Sequence, residues 1–221
     1  MQPTPDKQAQ SETLAVLGRE PLEKRVRRLL TDRKKLIIQD SHLTPAAVLI
    51  PIFYDAGVPH LLLTKRTTKV LHHKGQISFP GGARDPGDAG LLSTALRESQ
   101  EEMGIRSKDV QVLGELDDII TNTRFVVSPY VGTIPYPYHF TVNQEEIEEV
   151  LEVPVSTLLE RAHVDTSAVA PVRPYPAYTF EYRDHVIWGV TARILRQFLD
   201  IVFSPGQSTR GWTEKNGPRL R

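Results

Sequence analysis

The sequence contains no cysteine among its 221 residues, which excludes disulfide bonds, thiol catalysis and cysteine-ligated metal sites. It has no net charge either, because 27 Lys and Arg residues balance 27 Asp and Glu residues, so the chain as a whole is not attracted to nucleic acid or an anionic membrane. No run approaches the ~18 apolar residues of a membrane span, and the start lacks a secretory signal. We therefore expect a cytoplasmic protein with no nucleic-acid or membrane partner. These bounds leave a homodimer open.

Length and local composition predict the domain organisation. A chain of 221 residues is long enough for one substantial hydrophobic core, so we expect a single domain. Residues 1–18 are polar and contain two prolines, and residues 204–221 are polar and basic, which predicts a disordered tail at each end. The domain would then occupy residues 19–203 and begin with an amphipathic helix over residues 20–34.

The remaining pattern predicts strands and helices mixed along the chain. Pro51 interrupts one apolar run and marks that strand as an edge strand or the site of a bulge. The expected strands are 46–54, 60–65, 76–79, 110–116, 125–134, 150–155, 178–182 and 185–188, and the expected helices after the first are the one in the central stretch, 156–161 and 191–203. This order favours an α/β fold in which helices cover both faces of a mixed sheet, an α/β/α sandwich.

The central stretch, residues 79–105, carries the chemistry. A glycine pair precedes a short acidic loop, and a helix follows that should end at Gly104. Three glutamates of this helix fall within an arc of roughly 100° on one face; they are Glu98, Glu101 and Glu102. The alternative is a solvated charged face. Like charges at this spacing cost roughly 0.2–0.5 kcal/mol per pair, whereas a bound Mg²⁺ or Mn²⁺ would make the same carboxylates favourable.

The central stretch resembles the Nudix hydrolase box. That pattern is Gly, five residues, Glu, seven residues, then Arg-Glu-apolar-x-Glu-Glu-x-Gly-apolar. Its second half is present here as Arg97-Glu98-Ser99-Gln100-Glu101-Glu102-Met103-Gly104-Ile105. Counting from Gly82, Asp88 takes the place of the first Glu. Eight residues rather than seven separate it from Arg97, and Ser99 stands where an apolar residue is usual. The resemblance implies an α/β/α sandwich in which the box forms a loop, a helix and a loop against the sheet.

Roles for the box residues follow from this chemistry. We predict that Glu98 and Glu102 are the principal ligands of Mg²⁺ or Mn²⁺, and that Glu101 is a further ligand or orients the attacking water. The resemblance implies that the carbonyl of Gly81 completes the metal site. Arg97 would pair with a carboxylate and hold it in position rather than contact substrate.

The box does not settle which residue takes a proton from water. Glu145, Glu146 and Glu149 occupy a region in which several Nudix enzymes bring in another carboxylate, and we select Glu146 as the candidate. The alternative for each of the three is a solvated helix residue. Asp117 and Asp118 are weaker candidates for the same role.

A cation-rich loop, residues 66–75, precedes the box and suits a phosphate group. Arg66 is the favoured phosphate ligand because its planar guanidinium matches phosphate geometry, and Lys74 is a second candidate. Thr64 and Gly82 complete the predicted substrate contacts, since glycine lets a phosphate approach the backbone closely. Exposed surface charge is the alternative for the lysines.

Residues around the box indicate a substrate. Leu62-Leu63-Thr64-x-Arg66-Thr67, followed by Gly75 and Phe79-Pro80-Gly81-Gly82, is similar to a signature of the coenzyme A pyrophosphatase branch of the Nudix family. The resemblance implies cleavage of coenzyme A or an acyl derivative to 3′,5′-ADP and 4′-phosphopantetheine or its acylated form. One alternative is a Nudix pyrophosphatase of ADP-ribose, NADH or another nucleoside diphosphate derivative. Another is a ligand-binding or regulatory protein on a retired Nudix scaffold, one that has lost catalytic activity.

Overall fold

The computed structural model describes residues 20–68, 75–165 and 177–204. The two predicted tails, apart from residue 204, lie outside these ranges, and so does Lys74. The chain separates into two compact units, one formed by Met1–Asp32 with Pro154–Arg221 and the other by Arg33–Val153. The prediction of one domain over residues 19–203 stays a prediction. Of the described helices, none combines the length and hydropathy that crossing a membrane requires.

Strands and helices alternate through both units. The described helices are α1 Leu22–Thr31, α2 Leu91–Met103, α3 Val155–Glu160 and α4 Gly189–Phe203. The described strands are β1 Thr44–Asp55, β2 Val58–Arg66, β3 Ile77–Ser78, β4 Gly81–Ala83, β5 Gln111–Glu115, β6 Ile119–Ile120, β7 Phe125–Thr133, β8 Ile147–Pro154, β9 Ala162–Asp165, β10 Ala177–Tyr182 and β11 His185–Ile187. Most predicted elements are therefore present, with β4, β6 and β9 as unpredicted short strands.

The larger unit is built on a mixed sheet. Its strand order is β3-β2-β1-β7-β5, with β4 paired to β1, β6 to β7 and β8 to β2. β1 runs parallel to β7 and antiparallel to both β2 and β4. The predicted α/β fold class with a mixed sheet is confirmed.

A tight hairpin joins β1 to β2, as predicted. Ala56 and Gly57 both have positive φ, 48° and 82°, which is the combination that a type I′ turn needs and that matches the twist of the paired strands. The register that follows pairs Asp55 with Val58 and Ile52 with Leu61.

Pro51 does not mark an edge, because β1 is a central strand; that part of the prediction is wrong. One side of β1 pairs continuously with β7, while the other side pairs with β4 at Ala46–Val48 and with β2 from Ile52 onward. Ile52 accepts from Ile134 on the β7 side, and Leu49 donates to Pro80 on the other. The backbone of Pro51 faces the same side of β1 as that of Leu49, and it lies between the part of β1 that pairs with β4 and the part that pairs with β2. We call this gap, residues 49–51 of β1, the sheet fork.

The glycine pair is part of a strand rather than a loop. Gly81 and Gly82 lie on β4, opposite Val48 and Ala47 of β1. A Cβ on Gly81 would stand 2.3 Å from the Ala47 carbonyl oxygen, and φ at this residue is +157°. Only glycine fits so close to the neighbouring backbone.

The box helix α2 packs on the sheet through small and apolar residues. Ala95 lies in a cluster with Ala47 and Leu49, and Met103 lies in a second cluster with Phe53 and Leu62. Gly104 ends the helix with φ 71°, and its N–H donates to Gln100. The predicted end of the helix is therefore confirmed.

Ser99, the polar residue at a usually apolar position of the box, is fully buried in α2. Its hydroxyl donates a 2.6 Å hydrogen bond to the carbonyl of Ala95. This local bond satisfies the hydroxyl within the helix, so serine is compatible with the buried face.

The smaller unit contains a three-stranded antiparallel sheet in the order β11-β10-β9. Its helix α4 begins at Gly189, two residues before the predicted start, and helix α1 packs against it, with the Arg25 Nε donating 2.7 Å to the Val202 carbonyl. No side chain caps the start of α3.

Candidate active site

Glu102 is the most buried acid of the box, with 3% of its surface exposed. Its carboxylate accepts a 3.2 Å hydrogen bond from the Arg66 guanidinium and a 3.3 Å bond from the Gly81 N–H. Burial raises the pKa of the Glu102 carboxyl to about 8, and nearby Glu98 and Glu146 add to that rise, while Arg66 and the Gly81 N–H partly offset it. A proton or another cation at Glu102 is therefore favourable.

Glu98 lies one helical turn before Glu102 and is half-buried. Burial raises the pKa of its carboxyl above the usual value, and the Arg97 guanidinium 3.0 Å away opposes that shift. Gly82 passes directly beneath the carboxylate, since a Cβ there would stand 2.4 Å from the Glu98 Oε1. The Glu98 carboxylate can therefore occupy its position only because Gly82 has no side chain.

Glu101 differs from the other two glutamates of the box. Its side chain is 57% exposed, and its carboxylate accepts 2.9 Å from the Arg97 Nη1. The structure thus brings Glu98 and Glu102 together against β4 and leaves Glu101 at the solvent edge. The sequence prediction placed all three on one helical face, with Glu98 and Glu102 as principal ligands and Glu101 in a secondary role, but it did not predict that Glu101 is exposed.

Glu146 reaches the site from the turn before β8. Its carboxylate accepts a 3.3 Å hydrogen bond from the Arg66 Nη2, so one guanidinium joins it to Glu102. The alternative of a solvated helix does not describe this region, because residues 144–146 form a turn and Glu149 lies on β8. Of the three candidates, Glu146 is the one that the Arg66 guanidinium joins to a box carboxylate.

Asp88 anchors Arg97 and was not among the predicted site residues. Its two oxygens accept 3.0 and 3.1 Å bonds from the Arg97 Nε and Nη2, and Thr94 and the Asp85 N–H donate 2.8 and 2.9 Å bonds to it. These donors, the guanidinium first, hold the pKa of Asp88 well below its usual range. The available signal was its place at the first acidic position of the box.

The predicted substrate contacts separate into different settings. Arg66 and Gly82 lie beside the buried carboxylates. Thr64 is fully buried and donates 3.2 Å to the Ser78 carbonyl, so its hydroxyl joins β2 to β3 instead of facing solvent. Lys65 pairs with Glu148 at 2.8 Å, and Lys74 is outside the described residues.

Asp117 and Asp118, the weaker candidates for the base, have structural partners. Asp117 accepts a 2.8 Å bond from the Leu36 N–H, and Asp118 accepts a 2.9 Å bond from the Ile38 N–H. Lys35 also lies 3.0 Å from Asp118. Both aspartates are buried, and they hold the segment that leads into β1.

The donor set around α2 fits a hard divalent cation, although the carboxylates are arranged around guanidinium groups. Within the described ranges, no three His, Asp or Glu side chains stand close enough to hold an ion as placed. Glu98 and Glu102 are nevertheless crowded, half to largely buried oxygen donors, and the raised pKa of each shows that negative charge there lacks full compensation. Such oxygen donors are those that Mg²⁺ and Mn²⁺ prefer.

Comparison with known proteins identifies the family. The family model described as NUDIX domain matches residues 43–171, which include the whole box. A Photorhabdus laumondii protein called Uncharacterized Nudix hydrolase NudL is 39% identical over 160 residues, 71% of this chain and 84% of that protein. Its Citrobacter koseri namesake is 39% identical over 153 residues, 69% and 79% of the two chains. A MutT/nudix family protein structure from Enterococcus faecalis is 11% identical with a TM-score of 0.48, covering 92% of this chain and 76% of that one. The family match and the 39% identity to the two NudL proteins show that the chain belongs to the Nudix family.

Proposed function

We propose that this protein is a Mg²⁺- or Mn²⁺-dependent pyrophosphohydrolase that cleaves the diphosphate of coenzyme A or acyl-coenzyme A. The observation that carries the proposal is the buried Glu102, which shares the guanidinium of Arg66 with Glu146 and lies one turn from Glu98. Three crowded carboxylates beside one arginine suit an ion-assisted attack on a phosphate group.

Glu98 and Glu102 would hold the ion, with the carbonyl of Gly81 as a further donor. When bound, the ion makes a water nucleophilic near neutral pH and offsets charge on the phosphoryl oxygens. The site helix therefore supplies the charge that the reaction needs at one place.

The chain's own residues account for the proton and the substrate. Glu146 would accept a proton from the attacking water while the water oxygen bonds to phosphorus. The bridging P–O bond would break at the same time, and its electron pair would leave on the bridging oxygen. Arg66 would bind a phosphate oxygen once it leaves the carboxylates. Glu101 is exposed and would orient water or bind a further ion.

Arg97 acts through position instead of substrate contact in this proposal. It is fixed by Asp88 on one side and reaches Glu98 and Glu101 with its Nη1 on the other. A guanidinium fixed in this way limits the rotamers of both glutamates.

The coenzyme A substrate rests on the sequence signature around β2 and the box. Arg66, at the end of that signature, lies at Glu102, which supports a direct role for this segment in binding a diphosphate. ADP-ribose, NADH or another nucleoside diphosphate derivative is the alternative substrate class. The retired-scaffold alternative is less consistent with crowded glutamates whose negative charge is only partly compensated by Arg66 and Arg97.

A product assay tests the proposal. The purified protein is incubated with coenzyme A, ADP-ribose and NADH in parallel, with Mg²⁺, with Mn²⁺ and with EDTA. Appearance of 3′,5′-ADP and 4′-phosphopantetheine only in the metal-containing samples is the expected result. Faster turnover of ADP-ribose or NADH would show that this compound, and not coenzyme A, is the substrate. Tight binding without turnover of any compound would favour the retired scaffold.

A further inference from the structure

We propose that Thr67 and Asn143 are positioning residues that hold Glu146 against the site. This inference rests on the proposed role of Glu146 as general base. Neither residue contacts the reacting atoms in this scheme. They act on the backbone turn that carries Glu146, residues 143–146, which we call the base turn.

Asn143 closes the base turn with its own side chain. Its Oδ1 accepts a 3.1 Å bond from the Glu145 N–H, and its carbonyl accepts a 3.1 Å bond from the Glu146 N–H. Its Nδ2 also reaches the Glu146 Oε1 over a longer 3.4 Å. An asparagine that bonds to the backbone two residues ahead fixes a turn locally.

The base turn is attached to the box helix by main-chain bonds. The Asn143 N–H donates 2.9 Å to the carbonyl of Glu102, and the Thr141 N–H donates 3.0 Å to that of Met103. These carbonyls belong to the last turn of α2 and have no partner within the helix. The turn that carries Glu146 is thus bonded to the residue that carries the buried metal-site carboxylate.

Thr67 holds the other side of the base turn. Its N–H donates 2.8 Å to the Glu146 carbonyl, and its hydroxyl donates 3.0 Å to the Glu145 carbonyl. The residue is 7% exposed, so water has little access to replace these bonds. Because Thr67 directly follows Arg66, one short segment binds both the backbone and the carboxylate of Glu146.

Two attachments of this kind make the position of Glu146 independent of its own contact with Arg66. That independence matters because Arg66 must leave the carboxylates to bind a phosphate. The Thr67 hydroxyl and the Asn143 side chain then keep the base turn in place. Displacing a reacting group by about 1 Å costs up to roughly a hundredfold in rate, so loosening the turn should lower kcat and leave KM nearly unchanged.

The test compares Thr67→Val with Thr67→Ser. Valine keeps the β-branched shape and removes the hydroxyl, whereas serine keeps the hydroxyl. Thr67→Val should lower kcat about tenfold or more with KM within about twofold, and Thr67→Ser should restore most of it. Thr133→Val is the matched control, since the Thr133 hydroxyl meets Gln111 at the end of β7 opposite Ile52. Equal kcat for the wild type and Thr67→Val, or equal loss in Thr67→Val and Thr67→Ser, would overturn the inference.

A double variant separates this inference from the proposed function. In the Glu146→Gln background, Thr67→Val should have no further effect on kcat, because it acts through Glu146. A full multiplicative loss would show that Thr67 acts elsewhere. If Glu146→Gln itself keeps wild-type kcat, the role of Glu146 fails instead.

A measurement without turnover completes the test. Amide hydrogen exchange of Glu146, followed by NMR in metal-free protein, should accelerate in Thr67→Val and in Asn143→Ala, and should stay at the wild-type rate in Thr67→Ser and Thr133→Val. Unchanged exchange in both Thr67→Val and Asn143→Ala would show that neither residue holds the base turn, whatever the substrate.

Discussion

Arg66 donates a 3.2 Å hydrogen bond to the carboxylate of Glu102, so a cation already lies at the most buried acid of the Nudix box. The same guanidinium reaches Glu146 at 3.3 Å. An ion that binds Glu102 therefore competes with Arg66, and ion binding and release of the guanidinium are coupled.

The stability of the ion-free protein should fall as pH rises from about 5 to about 8. Burial raises the pKa of Glu102 from 4.5 to about 8, so the folded state takes up a proton that the unfolded state has lost in this range. The stabilisation is complete below pH 4.5 and is lost as pH rises through the folded pKa, a change on the order of 5 kcal/mol. Denaturant unfolding in EDTA across this pH range measures it.

Glu102→Gln is the control for that pH dependence, because glutamine keeps the shape of the side chain and does not titrate. Its free energy of unfolding should vary less between pH 5 and pH 8 than that of the wild type. Identical slopes would show that Glu102 titrates normally in the folded protein.

The three box glutamates should differ in their effect on turnover. Glu102→Gln should abolish Mg²⁺-dependent hydrolysis and leave a folded protein, and Glu98→Gln should follow closely. Glu101→Gln should lose less, because that side chain is mostly exposed and contacts Arg97. Steady-state kinetics over a Mg²⁺ series, with exposed Glu160→Gln as the matched control, measures the order. Unchanged turnover in Glu102→Gln would contradict the metal assignment.

Alanine at the two glycines of β4 should act in different ways. In Gly82→Ala the three atoms nearest the new Cβ belong to the carboxylate group of Glu98 rather than to backbone, so the fold should survive while metal affinity and kcat fall. In Gly81→Ala the Cβ meets the backbone of Ala47 and Val48, so thermal stability should fall markedly. Gly90→Ala is the control, because a Cβ there has nothing within 4 Å. Thermal melts together with Mn²⁺ titration distinguish the three.

Asp88→Asn should weaken the attachment of Arg97, and the resulting loss of stability should depend on pH in the acidic range. Because the pKa of Asp88 is held low, its ionised form stabilises the wild type above its ordinary pKa, and this stabilisation is lost as pH falls through the lower folded value. The melting temperatures of wild type and Asp88→Asn should therefore converge toward pH 2. A constant difference from pH 2 to pH 6 would contradict the ion pair. At neutral pH, kcat should also fall, since Arg97 no longer fixes Glu98.

Local patterns were sufficient to predict α2 and the hairpin. The helix has its own periodicity and ends at Gly104, and the hairpin turn has glycine at a position with positive φ, so neither depends on distant residues. β4 could not be predicted in this way, because glycine has little intrinsic preference for strands and is held there by pairing with β1. Pro51 was misinterpreted for the same reason, since its environment is set by two separate partners.

The sequence predicted which residues form the candidate site better than it predicted how they are arranged. Residue type and spacing selected Glu98, Glu102 and Arg66. They could not show that Arg66 meets Glu102, because 36 residues separate the two. Nor could they show that Glu101 turns to solvent, because a helical arc gives direction only to within tens of degrees.

The sheet fork has a consequence for how far the β1–β2 hairpin extends. Continuing its register would place Pro51 opposite Leu62, at a position where two backbones exchange hydrogen bonds. Proline has no N–H to donate there, so the pairing of β1 with β2 ends at Ile52. β4 pairs instead with the preceding part of β1, Ala46–Val48. The absence of this one main-chain hydrogen, 30 residues before Gly81, thus leaves the edge of β1 open for the glycine-containing strand β4, which contacts the box helix α2.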